Sequence, residues 1–193
     1  MEFDVDKLSI QETYLRMVQL ISPRPIAWVS TLSIDGIPNL APYSFFAGVG
    51  ANPPTVCFAP ANDKHGNAKD TLENIRRTGE FVINTVTEPV AQAMHRSADE
   101  LAAEVNEFEV AGLETADCVK VKPPRVKAAV ASMECRLHSA IGLGTGPGGA
   151  NLVIGTVVYF HVDQDSVDQK VIPTIGRVAR REYTQIKDTF RLE

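Results

Sequence analysis

Two long apolar, β-branched stretches, residues 128–143 and 151–162, flank the glycine-rich segment GLGTGPGGAN, and this arrangement constrains the chain more than any other feature. Runs of that length rich in Val, Ile and Ala on either side of a turn segment read as an antiparallel pair of strands. Gly144, Gly146 and Gly149 satisfy the letters of G-x-G-x-x-G. That fingerprint cradles a pyrophosphate only where a strand leads into a helix. Here strand leads to strand, so a dinucleotide-binding α/β fold is set aside. The glycines are expected to form a flexible hairpin loop of the kind that borders a ligand site.

The remaining segments fit a mainly β chain with inserted helices. IAWVSTLS (residues 26–33), the turn Asp35-Gly36 and IPNLAPYSFF read as a β-hairpin. Pro38 and Pro42 cannot donate to a ladder, so the second arm should be an edge, bulged or irregular strand with backbone groups free to meet a ligand. TVCFA (residues 55–59) and EFVINTV (residues 80–86) are further strands. Between them Asp70 followed by Glu73 reads as a helix N-cap signal, Leu72 and Ile75 as its apolar positions, and Gly79 as its end. Tyr14, Met17, Val18 and Ile21 recur at helical spacing before Pro23, and residues 89–98 and 101–105 also look helical. About six strands with helical excursions predict a β-barrel in one domain spanning residues 1–193. Residues 1–22 form an N-terminal extension and residues 173–193 a polar, basic tail.

Charge and composition exclude several function classes. Across 193 residues, 19 Lys plus Arg stand against 24 Asp plus Glu, a formal net charge of -5. Nucleic-acid binding is disfavoured, because phosphate neutralisation needs a surplus of basic residues on one surface. No apolar run approaches the ~20 residues of a membrane span, and the start MEFDVDKLSI is acidic and mixed, so neither membrane insertion nor export is expected. Cys57, Cys118 and Cys135 are odd in number and widely spaced, which suits buried apolar thiols in a cytoplasmic protein. His65, His95, His138 and His161 show no metal-binding spacing, and no G-x-S-x-G elbow is present. No metal site is expected, and His138 and His161 read as structural or surface groups.

Two stretches could carry binding chemistry. Lys69-Asp70-Thr71 places a cation and a hydroxyl at a helix start, where N–H groups and the macrodipole favour an anion such as phosphate. Asp70 acting as its own cap is the competing use of that position. The segment Asn39-Leu40-Ala41-Pro42-Tyr43-Ser44-Phe45-Phe46 mixes small, polar and aromatic residues on a proline-broken strand, which suits a flat heteroaromatic ligand or an ordinary barrel core.

Taken in order, PRPIAWVST, DGIPNLAPYSFF, NPPTVCFAP, KDTLENIRRTGEFVIN, VKPPRV, ECRL, LVIG and IGR resemble the flavin reductase-like family of FMN-binding split-barrel proteins. The resemblance covers residues 23–183. It implies a six-stranded split β-barrel, a homodimer, FMN at the subunit interface, and hydride passing between NADH or NADPH and flavin N5. Reduced flavin or electrons would go to a partner, an oxygenase or another acceptor protein. The family positions carry over to Ser30 and Thr31 near the flavin, and to Asn39, Ala41, Pro42, Ser44, Phe45 and Phe46 around the ring and ribityl chain. Lys69 and Thr71 fall at the phosphate, and Arg177 and Tyr183 in the tail. No catalytic side chain is implied, because hydride transfer depends on stacking nicotinamide against flavin rather than on a titrating group.

Two departures from the family pattern stand out. Many NAD(P)H-using relatives carry G-D-H-T where this chain reads Gly148-Gly149-Ala150-Asn151, and the tail reads IGRVARREY where relatives often have glycines after the Arg. The first sustains an alternative, a flavoredoxin-like electron-transfer protein that holds FMN without using nicotinamides directly. A non-catalytic ligand-binding split barrel is the third reading.

Overall fold

Strand β1 (Ala27–Leu32) is buried along almost its whole length, because its two faces belong to two different cores. Ala27 and Val29 enter one and Trp28 the other, as the two-residue period of a strand requires. The computed structural model describes residues 2–186 and 189–192. After β1 come β2 (Pro38–Tyr43), β3 (Phe46–Ala51), β4 (Pro54–Phe58), β5 (Glu80–Asn84), the short β6 (Thr115–Ala116) and β7 (Arg125–Val126), the long β8 (Ala131–Gly142) and β9 (Asn151–Val162), and finally β10 (Ile175–Arg177) and β11 (Tyr183–Gln185). Seven of these form one antiparallel sheet in the order β2-β1-β5-β8-β9-β4-β3. The pairs β6-β7 and β10-β11 are separate ribbons.

The two edge strands of that sheet, β2 and β3, are consecutive in the chain and separated only by Ser44 and Phe45. Three peptide steps span no more than about 11 Å. The sheet therefore has to roll until its edges meet, which makes it a barrel that is split between β2 and β3. The sequence reading of about six strands is one short, because it runs β2 and β3 together as a single arm. The prolines are read correctly: among the described residues β2 pairs only with β1.

Helix α1 (Ile10–Leu20) opens on a capping box in which Glu12 N–H donates to Ser9 Oγ (3.2 Å) and Ser9 N–H to Glu12 Oε2 (2.9 Å). Helix α2 (Asp70–Thr78) sends Leu72 and Ile75 into the barrel core with Val29, Phe58 and Phe81, and ends at Gly79, whose φ of 72° is left-handed. Helices α3 (Ala91–Arg96) and α4 (Glu107–Ala111) bring Met94 and Phe108 against Trp28 and Leu40 in the second core. The Trp28 indole donates to Ser97 Oγ at 2.9 Å. A last helical turn, α5 (Gln164–Val167), follows β9.

Three local expectations are corrected. Residues 101–105 are not helical; the helix starts at Glu107, where Asn106 caps it by accepting from Phe108 N–H at 3.0 Å. The loop of residues 144–150 is pinned rather than flexible. Asn62 Nδ2 donates to Gly146 O (3.1 Å), Asn62 N–H to Gly149 O (2.8 Å), and Asn151 Nδ2 to Asn62 Oδ1 (2.9 Å). Of the cysteines only Cys135 is fully buried, while Cys57 and Cys118 are half-buried.

Gly155 lies in the middle of β9, opposite Val56 of β4 and Leu137 of β8. A Cβ built there would sit 2.3 Å from Cζ of the fully buried Phe81 ring. Gly155→Ala should destabilise the fold by about 1–3 kcal/mol through overpacking, seen as an earlier midpoint in urea unfolding. Adding Phe81→Leu should return part of that loss, and strictly additive destabilisation would refute the packing argument.

Candidate functional site

The edge strand β2, the start of α2, the segment after α3 and the start of α4 enclose a cleft of about 290 Å³. Asn39, Ala41 and Pro42 line it from β2, and Lys69 and Thr71 from α2. The structure thus brings together five of the residues singled out in the sequence. Lys69, rather than Asp70, occupies the N-cap position of α2, in extended conformation and with no side-chain cap, and Asp70 is the first helical residue. The helix start is therefore open toward an anion instead of being closed by the Asp70 carboxylate. Lys69 makes no ion pair among the described residues.

Asn39 is the hub beneath this cleft. Its Oδ1 accepts from Thr71 Oγ1 (2.7 Å) and Thr31 Oγ1 (3.2 Å), and its Nδ2 donates to Glu107 Oε1 (2.9 Å). Glu107 Oε2 accepts from Leu40 N–H (3.1 Å), and Asn74 Nδ2 donates to Thr31 Oγ1 (3.1 Å). The network ties β1, β2, α2 and α4 together and fixes the amide of Asn39 in one orientation. Thr71 gives its only hydroxyl hydrogen to Asn39, so as placed it meets a cleft ligand through its lone pairs or its backbone N–H. Glu107 is only 7% exposed. Burial pushes its carboxyl above the ordinary range, with Asp70 nearby adding to the rise against the donors of Leu40 and Asn39. Tyr43 also lines the cleft; its hydroxyl is buried beside Thr71 and makes no hydrogen bond of good geometry among the described residues, and burial drives its pKa upward against the lowering influence of Thr71.

The other residues singled out fall elsewhere. Ser30 is fully buried and donates to Pro124 O at 2.6 Å while accepting from Asn84 Nδ2. Thr31 belongs to the Asn39 network rather than to the cleft wall. Ser44, Phe45 and Phe46 sit at the split between the barrel edges. There Arg24, which sequence reasoning missed, is 1% exposed and donates through Nε to Ser44 Oγ (3.3 Å) and through Nη1 to Val18 O (2.9 Å) and Ile21 O (3.0 Å). Its guanidinium lies 5.9 Å from the Phe45 ring centre, and Tyr14 meets Phe45 edge-on at 6.5 Å. Arg177 exchanges backbone hydrogen bonds with Arg24 (2.9 and 2.8 Å), which brings the tail to this corner. The Arg177 side chain turns back onto Ala179 O and Arg180 O, and Tyr183 packs against the second core.

Comparison with known proteins agrees with this architecture. Residues 20–186 match the flavin reductase like domain. The chain belongs to that family. An uncharacterized protein of Aquifex aeolicus is 36% identical over 191 residues, 96% of this chain and 95% of the relative. Nitrilotriacetate monooxygenase component B from Bacillus cereus superposes with a TM-score of 0.93 at 32% identity, over 100% of this chain and 98% of that one. The 2-nitrobenzoate 2-nitroreductase of Pseudomonas fluorescens gives 0.89 at 26% identity, over 100% and 95%.

One further cluster lies apart from this cleft. Cys118, Glu134 and His161 bring a thiol, a carboxylate and an imidazole within 4.8 Å of one another, a grouping their sequence spacing does not announce. The carboxylate is already taken: Glu134 accepts from the N–H groups of Val119 (2.7 Å), Lys120 (2.5 Å) and Val121 (3.1 Å), and lies 2.6 Å from His161 Nε2. It reads as an anchor for the loop before β7, in keeping with a structural His161. Burial alone would raise the Glu134 pKa, but the donors of Val119, His161 and Lys120 outweigh it and hold the group below its ordinary value. A carboxyl depressed in the folded state adds stability that is present above its unfolded pKa, about 4.3, and is lost as pH falls through the folded value. Glu134→Gln should lower stability at neutral pH by about 1–3 kcal/mol and flatten this part of the acid limb. Urea unfolding at pH 7 and in the acid range checks it, and an unchanged acid slope would remove Glu134 as its source.

Proposed function

We propose that the chain is an FMN-dependent oxidoreductase that reduces flavin with NADH or NADPH and passes reduced flavin or electrons to a partner. The observation that carries this reading is the cleft itself. An uncapped helix start, a Lys69 without an ion pair among the described residues and the buried Tyr43 hydroxyl converge beside a proline-broken edge strand, which suits a phosphorylated ligand lying along β2. Lys69 and the first N–H groups of α2 would hold the phosphate. Asn39, Ala41 and Pro42 would flank the ribityl chain, and Ser44, Phe45 and Phe46 the ring at the barrel split. When bound, FMN would supply hydride acceptance at N5, and the chain would supply orientation and exclusion of water.

Two supports bear on partners. The name of the Bacillus cereus protein, a monooxygenase component, favours an oxygenase as recipient of the reduced flavin. On this chain α1 buries only Val18 and leaves Ile10, Met17 and Leu20 exposed, with Ile21 exposed just after it, and β3 beside the split is exposed along most of its length. A second copy of the chain covering those faces would complete the flavin site as a homodimer. Among the described residues no helix is long and apolar enough to cross a membrane; the three free thiols suit a cytoplasmic setting.

The purified protein should carry or take up FMN, and anaerobic NADH or NADPH should bleach the oxidised-flavin band within the dead time of manual mixing. A yellow protein reduced by dithionite but by neither nucleotide would instead establish the flavoredoxin-like carrier, which Ala150 in place of the family histidine favours. Lys69→Ala should weaken FMN binding about tenfold without changing the thermal midpoint. Unaltered affinity would remove Lys69 from the site.

A further inference from the structure

Cys118, Glu134 and His161 come from three separate segments: the connection between β6 and β7, strand β8 and strand β9. Each offers one ligand atom, and the three atoms lie within 4.8 Å of one another. Thiolate, imidazole and carboxylate are all donor types of zinc, which takes three protein ligands and a water as readily as four protein ligands. Tetrahedral zinc keeps such atoms roughly 3.3–3.5 Å apart, given bonds of about 2.0 Å to N and O and about 2.3 Å to S. The cluster stands near that spacing. His161 Nε2 and Glu134 Oε1, at 2.6 Å, need to part slightly, and Cys118 sits in irregular chain that can follow.

Without a metal, protons close the cluster. Glu134 is held ionised, so the hydrogen of its contact with His161 belongs to Nε2, while burial and the Glu134 charge keep Cys118 a thiol. The N–H groups of Val119, Lys120 and Val121 take three of the roughly four lone-pair sites of the carboxylate. The site that faces His161 is the one a cation takes over. The three N–H groups then hold the carboxylate in place, as outer-shell donors do around metal-ligating groups. The His161 ring also packs against Tyr159, with 4.9 Å between ring centres. Glu134 is fully buried, but Cys118 and His161 are both partly exposed, which leaves a way in for an ion.

We propose that Cys118, Glu134 and His161 form a zinc site that ties the β6-β7 ribbon to the barrel wall at β8 and β9. On binding, the Cys118 thiol gives its proton to solvent and the His161 ring proton passes to Nδ1, so that Sγ and Nε2 become free to ligate. Water completes the tetrahedron. One thiolate and one carboxylate balance the dication, so no net charge is buried. The site is independent of the cleft at β2 and of the flavin reading.

The test uses the full chain without a polyhistidine tag, stripped of metal by a chelator and titrated with Co²⁺ and then Zn²⁺. One Co²⁺ per chain should give the near-ultraviolet band of a cobalt–thiolate bond, and one equivalent of Zn²⁺ should erase it. Cys118→Ala should abolish the band. His161→Ala should weaken Zn²⁺ binding by about a hundredfold or more, since outer-shell changes alone cost about 10- to 100-fold. Cys57→Ser should change neither readout. Zinc should raise the thermal midpoint of the wild type, as any ligand of the folded state does, and leave that of Cys118→Ala unmoved. X-ray absorption at the zinc edge of the wild type, which depends on no variant folding, should show one sulfur with nitrogen and oxygen neighbours. No cobalt band at one equivalent, a band that survives in Cys118→Ala, or a zinc shell with no sulfur or more than one overturns the proposal.

Discussion

Two residues, Ser44 and Phe45, decide the shape of this molecule, because they must join strands at opposite edges of a seven-stranded sheet. With so short a connection the sheet cannot stay open, and the barrel, its split and the position of the cleft all follow. The corner is fastened from three directions by Arg24, whose side chain reaches Ser44 and the last carbonyls of α1 while its backbone pairs with Arg177. A guanidinium this deeply buried, with no carboxylate beside it among the described residues, is balanced by the carbonyl end of a helix, where partial negative charge gathers. N-terminal helix, barrel split and tail are thereby one knot. Segments that look like extensions in the sequence are parts of the closure.

The Asn39 network answers a different problem, how to keep an edge strand in register when Pro38 and Pro42 remove ladder donors. Side chains take over from the missing backbone bonds: Glu107 receives Leu40 N–H, and Asn39 is held by Thr31, Thr71 and Glu107. The cost is a carboxylate taken out of water. Because the Glu107 pKa is raised in the folded state, folding binds a proton between the unfolded and folded values, and that contribution weakens as pH rises through the interval. The chain accepts this at the wall of its cleft, where the same group fixes the amide that a ligand would meet.

What could be read from the sequence was whatever depends on neighbours in the chain. The hairpin of β1 and β2, the edge character given by two prolines, the long β8 and β9 pair and α2 with its terminal Gly79 all rest on local pattern, whereas the grouping of Asn39, Ala41 and Pro42 with Lys69 and Thr71 came from the family resemblance. β3 is hidden because no glycine or proline stands between Pro42 and Phe46 to mark the bend at Ser44-Phe45. Glu107 was hidden because it meets Asn39 across 68 positions, brought there by a short helix whose cap, Asn106, was masked by the apolar pattern just before it. Arg24 sits in a Pro-Arg-Pro triplet that reads as a turn, and nothing local says that its side chain will be buried. The N-cap of α2 was misplaced by one residue, since Asp is the better cap by chemistry while the backbone turns into the helix only after Lys69.

That one-residue displacement bears directly on function. With Asp70 as cap, the carboxylate would fill the anion position and the cleft would have no use for a phosphate. With Lys69 there instead, the helix start is open, yet Asp70 remains within the same cleft, turned from an occupant into a neighbour. The site is therefore neither a closed cap nor a strongly basic phosphate pocket. It combines the open N–H groups of a helix start and the Lys69 cation with acidic neighbours along the lining. Under the proposed function the two ends of β2 divide the work: the corner at Ser44 offers aromatic surface and shape, while the cleft at Asn39 offers orientation and, through Lys69 and the helix start, a place for the charged end.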